Sequence, residues 1–151
     1  MKIKFEYAED ELYFKNLLCS EGEYLEKYES LFDFRKPNIK RLEFNKISDK
    51  IKEDLIKKYG KICMLNYPNN CDLNTGFNVD HLIPLSSNKL NKMRGVKSEK
   101  GKKVRTQSFG SNNISNLIIA CKKCNSHKKH IILEREQIQQ ILKSISKPAA
   151  Q

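Results

Sequence analysis

The first third of the chain sets Leu12, Leu17, Leu18, Leu25, Tyr28, Leu31 and Phe32 among alternating acids and bases, a spacing close to that of helix with one buried stripe. Pro37 is expected to close that stretch. A further helix is expected to start at Ser48 or Asp49 as its cap, to carry Ile51, Leu55, Ile56 and Tyr59, and to stop at Gly60. Residues 63–78 contain Pro68, paired asparagines and Gly76 and read as a loop. The apolar runs 79–85 and 114–120 are strand-like, so they predict a hairpin around the segment between them. After Cys121 the pattern continues as helix through Leu133. Ile138, Ile141, Leu142 and Ile145 then mark one face of a last helix, ended by Pro148.

The 151 residues suffice for one modest core rather than two. The expected class is α+β in a single domain, residues 1–151. It divides into a helical extension (1–59), a central core (60–133) with an insert at 87–111, and a C-terminal helix and tail (134–151). The opening apolar residues are soon interrupted by Glu9, Asp10 and Glu11, and no run is long enough for a signal peptide or a membrane span. A cytoplasmic protein with no membrane partner is therefore expected.

Charge sharpens this picture once it is located. From Lys89 to Lys129 there are twelve basic residues against one acid, Glu99, while the remaining 17 basic and 17 acidic residues balance. The whole net charge of +11 thus falls within one segment. Clustered Lys and Arg neutralise phosphates and release counterions, which points to a polyanionic partner.

Five cysteines in a reducing compartment read as metal ligands sooner than as disulfides. Cys121 and Cys124 have the two-residue spacing at which a turn aims two thiolates at one tetrahedral zinc. Cys63 and Cys71 supply a second pair, separated by seven residues. Cys19, beside Leu17 and Leu18, reads as a small apolar residue.

Two stretches carry more specific chemistry: Val79-Asp80-His81-Leu82-Ile83-Pro84-Leu85, and Asn116-Leu117-Ile118-Ile119-Ala120-Cys121-Lys122-Lys123-Cys124-Asn125-Ser126-His127-Lys128. Together they resemble the signature of the HNH endonucleases over roughly residues 60–130. The resemblance implies a ββα-metal core with a structural zinc, flanked here by N- and C-terminal helices. By that likeness Asp80 is a ligand of a catalytic Mg²⁺ or Mn²⁺, and His81 is the general base that takes a proton from water. Asn116 is the middle asparagine, fixing the hairpin and the His81 ring, and Asn125 is the last position and second metal ligand. Zinc falls to Cys63, Cys71, Cys121 and Cys124, although the family usually has two residues between the first pair. Asparagine in place of the last histidine is chemically sensible, since an amide oxygen is a hard donor.

The implied reaction is hydrolysis of a phosphodiester in double-stranded DNA to a 5′ phosphate and a 3′ hydroxyl. A restriction or phage-defence enzyme is expected. A nicking or homing-type endonuclease and a non-catalytic zinc module that binds nucleic acid are the alternatives. One active site cuts one strand, so a homodimer or sequential nicking is needed for a double-strand break.

The family's short loop is lengthened here by about twenty residues, and a loop of that size is usually functional or disordered. Lys89, Lys92, Arg94, Lys97, Lys102, Lys103 and Arg105 make it a candidate DNA contact, with Arg94 and Arg105 as candidates for guanine edges. The competing reading is a flexible solvated loop. His127 and Lys128 are expected to meet phosphate, and His130 reads as a surface or phosphate-side residue.

Overall fold

Local chemistry explains where the elements begin and end in the computed structural model, which describes residues 3–129 and 131–146. Helix α1 (Ala8–Leu18) opens with Glu9, Asp10 and Glu11, whose charges suit a helix N-terminus, and buries Phe14, Leu17 and Leu18. Cys19 closes it as a buried apolar residue. A 3₁₀ segment (Leu25–Leu31) then brings Phe32 into a cluster of rings with Phe5, Phe14 and Phe34.

Helix α2 (Pro37–Tyr59) departs from the sequence expectation. Pro37 begins the helix instead of closing the one before, because at the first helical position no N–H is needed and the ring's φ is already helical. Ser48 and Asp49 consequently lie inside α2, whereas Gly60 does end it, with φ at +84°.

Strand β1 (Phe77–His81) pairs antiparallel with β4 (Leu117–Cys121), from Phe77 opposite Cys121 to His81 opposite Leu117. All five residues of β4 are buried, since the strand is covered on both faces. Leu117 and Ile119 meet Leu55 and Phe77 in a small cluster joined by Phe44 and Ile51 of α2, while Ile118 and Ala120 join the main core. Helix α4 (Lys122–Lys128) follows β4 directly, and α5 (Arg135–Ser146) returns over α1 with Ile138 and Ile141 buried. α4 stops well short of Leu133, at Lys129 with φ of +51°. Pro148, expected to end the last helix, lies outside the described residues.

The chain between β1 and β4 is not the structureless loop its composition suggests. A two-residue strand β2 (Ser86–Ser87) pairs with β3 (Gln107–Ser108), and α3 (Lys89–Met93) sits at the base. Asp10 of α1, 2% exposed, binds both limbs, accepting from Arg94 Nη1 at 2.5 Å and from Gln107 Nε2 at 2.8 Å. Only residues 95–103 remain as a mostly exposed tip.

At the crossing below the insert, a Cβ on Gly110 would lie 1.9 Å from the Ile83 carbonyl oxygen, so no larger residue fits. The ammonium of Lys40, fully buried, ties this crossing to α2 by donating to the carbonyls of Asp33 (2.6 Å), Leu85 (2.9 Å) and Gly110 (2.6 Å). Among the described residues no helix is long and apolar enough to cross a membrane.

Candidate functional site

Four cysteines drawn from distant parts of the chain converge. The sulfurs of Cys63, Cys71, Cys121 and Cys124 all lie within 4.8 Å of one another. The wide first pair closes because residues 64–70 fold into tight turns, with Asn66 and Asn69 at positive φ and the Cys71 N–H bonded to the Tyr67 carbonyl. Met64 N–H donates to the Ile119 carbonyl and fastens this knuckle to β4.

Burial, with the neighbouring Cys63 sulfur, pushes the Cys71 thiol up to about 11 and raises Cys124 as well. At Cys121 burial works in the same direction, but the N–H groups of Asp72 and Cys124 and the neighbouring thiols bring it down to about 6. Such a cluster holds several thiolates only around a cation. The donor set suits zinc, whose tetrahedral thiolate shell at a bond length of about 2.3 Å has edges of about 3.8 Å.

The second site lies at the far end of β1. His81 is 7% exposed and lines a cavity of about 250 Å³ with Asp80, Arg41, Asn45 and Lys129. Its Nε2 lies 2.8 Å from Asn112 Oδ1, and Asn112 Nδ2 in turn donates to the Lys40 carbonyl at 2.8 Å. The amide orientation fixes the tautomer: Nε2 carries the proton and Nδ1 keeps a lone pair. Phe44 packs its ring at 62° to the imidazole with centroids 4.6 Å apart. Burial lowers the His81 pKa below its ordinary value, so the ring is neutral at neutral pH.

Asn116 was expected to hold the His81 ring, and here the expectation is corrected. Asn116 is fully buried, and its Oδ1 accepts from the Ile83 N–H at 2.7 Å while Nδ2 donates to the carbonyls of Ile83 and Ser111. It locks the chain just after His81; the ring itself is held by Asn112 and Phe44. Sequence reasoning passed over Asn112 because no pattern distinguishes it from the asparagines beside it.

Asp80 Oδ1 accepts from the His81 N–H at 2.8 Å. Its other oxygen lies 3.0 Å from the ammonium of Lys128, which is aligned instead on the His81 carbonyl, also at 3.0 Å. Oδ2 is therefore ion-paired yet retains a buried acceptor position with no hydrogen bond. Lys128 has no exposed surface, so it cannot meet DNA as expected; the reason is that α4 packs its inward face against β1. Asn125, half-buried, lies one turn before Lys128 on that same side of α4, and its side chain has no hydrogen-bond partner among the described residues. Asp80 Oδ2 and Asn125 Oδ1 are thus hard oxygen donors without hydrogen-bond partners among the described residues, and the Lys128 ammonium already lies beside the first.

The other residues expected at DNA separate into two groups. Arg94 is corrected: it pairs with buried Asp10, donates to Asn91 Oδ1 at 2.7 Å and stacks over the Tyr7 ring at 3.8 Å, so its guanidinium is committed to the fold. Lys89 is half-buried with its ammonium over the Tyr13 ring. Lys92, Lys97, Lys102, Lys103 and Arg105 are exposed, Lys102 paired with Glu99 and Arg105 with Glu6. His127 is exposed with its ring centroid 4.9 Å from that of Tyr67, beside the cysteine knuckle. His130 lies outside the described residues. Against this geometry, no family model, curated protein or solved structure matches the chain.

Proposed function

We propose that this protein is a metal-dependent DNA endonuclease of the HNH type, carrying a structural zinc in its four-cysteine site. The observation that carries the proposal is the pairing of Asp80 with a His81 ring whose protonated nitrogen is taken by Asn112. That pairing leaves a neutral base beside a carboxylate in a cavity also lined by cations. His81 Nδ1 accepts a proton from water, the water oxygen bonds to phosphorus, and the bond from phosphorus to the 3′ oxygen breaks, that oxygen taking a proton from a second water. The products are a 5′ phosphate and a 3′ hydroxyl. Asp80 and Asn125 would hold Mg²⁺ or Mn²⁺, which when bound neutralises charge on the phosphate and the departing oxygen.

Double-stranded DNA is the proposed substrate, with the exposed lysines of the insert tip on its phosphates. A restriction or phage-defence role is preferred to a nicking or homing role. A zinc module that binds nucleic acid without cutting is a second reading. It is favoured by one observation, the Lys128 ammonium already at Asp80. Incubating the protein with methylated and unmethylated plasmid, with and without Mg²⁺ or Mn²⁺, tests the choice. Cleavage with 5′ phosphate ends is expected; retardation of an intact plasmid in every condition selects the binding module.

A further inference from the structure

Arg41, Phe44 and Asn45 of α2 line the His81 cavity. Five arginines are present, and four are engaged within the fold. Arg35 pairs with Asp33 and Glu43, Arg94 with Asp10, Arg105 with Glu6, and Arg135 Nη1 donates to the Asn16 and Cys19 carbonyls. Arg41 alone has no ion pair or hydrogen bond among the described residues, and it is the one that lines the His81 cavity. Lys129, likewise without an ion pair among the described residues, lines the same cavity from the end of α4.

The α2 backbone that carries Arg41 is fixed relative to His81. Its neighbour Lys40 is buried against the Leu85 and Gly110 carbonyls, and the Lys40 carbonyl accepts from the Asn112 amide that holds His81. Phe44, one turn along α2, touches the imidazole. An unpaired guanidinium lining the cavity beside His81 suits two non-bridging phosphate oxygens, which its planar fork can bind together.

We propose that Arg41 binds the scissile phosphodiester at His81, with Lys129 as a second cation, so that α2 of the N-terminal extension forms part of the active site. This rests on the nuclease reading for the identity of the phosphate and adds a residue outside the segment that resembles the family.

The test uses the full chain as wild type, Arg41→Ala, Arg41→Lys and, as a control for loss of one surface charge on the same helix, Lys57→Ala. Affinity for a short fluorescent DNA duplex is measured without divalent ions over a salt series, and single-turnover plasmid cleavage is measured in Mg²⁺. Arg41 is exposed, so all variants should melt as wild type does. Arg41→Ala should flatten the salt dependence by a slope of about 0.9. It should also slow cleavage roughly 10- to 100-fold, the range for a charged hydrogen bond. Arg41→Lys should restore the slope and leave most of the rate defect, since the charge returns without the fork.

Wild-type affinity, slope and cleavage in Arg41→Ala overturn the inference. If wild type itself leaves plasmid intact, the nuclease reading fails. The duplex affinity of Arg41→Ala then decides whether the cavity binds phosphate at all: an unchanged value overturns the proposal and a flattened slope supports it.

Discussion

The cysteine knuckle and the His81 cavity occupy opposite ends of the β1–β4 pair, and they are built by different rules. The knuckle is made of four like donors aimed at one point. Nothing else in the fold substitutes for the ion they are suited to hold. The cavity is made of unlike groups, each held by a separate second residue: His81 by Asn112, Asp80 by Lys128, and α2 by the carbonyls around Lys40. A site of the first kind contributes to folding as a unit, whereas a site of the second kind can lose a member and keep its frame.

The largest expected effect follows from the knuckle. Stripping zinc, or replacing Cys121 with Ser, should remove about 10 kcal/mol or more of folding free energy and abolish cooperative unfolding. Withdrawing Mg²⁺ should shift the melt far less, by no more than mass action on a weak exchangeable site. One tightly held zinc per chain by elemental analysis is expected; a folded preparation without zinc breaks the contrast.

Next in size is Lys40→Ala, which leaves three carbonyl oxygens at the crossing without their donor. A loss of about 3 kcal/mol or more is expected in denaturant unfolding. A loss within error would show that α2 is not fastened to the cavity as described.

Arg94→Ala should cost about 2 kcal/mol, because it removes a charged hydrogen bond and leaves the buried Asp10 carboxylate with only Gln107 as partner. The smallest stability effect belongs to the insert tip. Changing Lys97, Lys102 and Lys103 together to Ala should alter stability by less than about 0.5 kcal/mol, as these side chains are exposed. The same triple variant should lower the salt slope of DNA binding by about 0.9 for each phosphate that it leaves unneutralised. An unchanged slope would make the tip solvated surface and move recognition to the helices.

These differences also mark what the sequence could reveal. The cysteines were legible because zinc demands a residue type, and β4 because its coverage on both faces produces an unbroken apolar run; β1 lies earlier than the run 79–85, at Phe77–His81, because its middle residues are only half-buried. Gly60 was readable as a helix stop through its backbone freedom. The fates of Lys128 and Lys129 were not, since adjacent lysines carry the same local signal while one points into the β1 face and the other borders the cavity. Arg94 misled for the same reason: its partner Asp10 is 84 residues away. Lys40 and Asn112 were invisible because long-range packing assigns their work. Pro37 was misplaced because proline suits a helix start as well as a stop.

The most direct test of the central claim compares wild type and His81→Ala on supercoiled plasmid in Mg²⁺, with zinc content and melting temperature measured on the same samples. The account predicts that both proteins carry one zinc and bind DNA alike, while only wild type converts the plasmid to nicked or linear form. Cleavage by His81→Ala at the wild-type rate would contradict it.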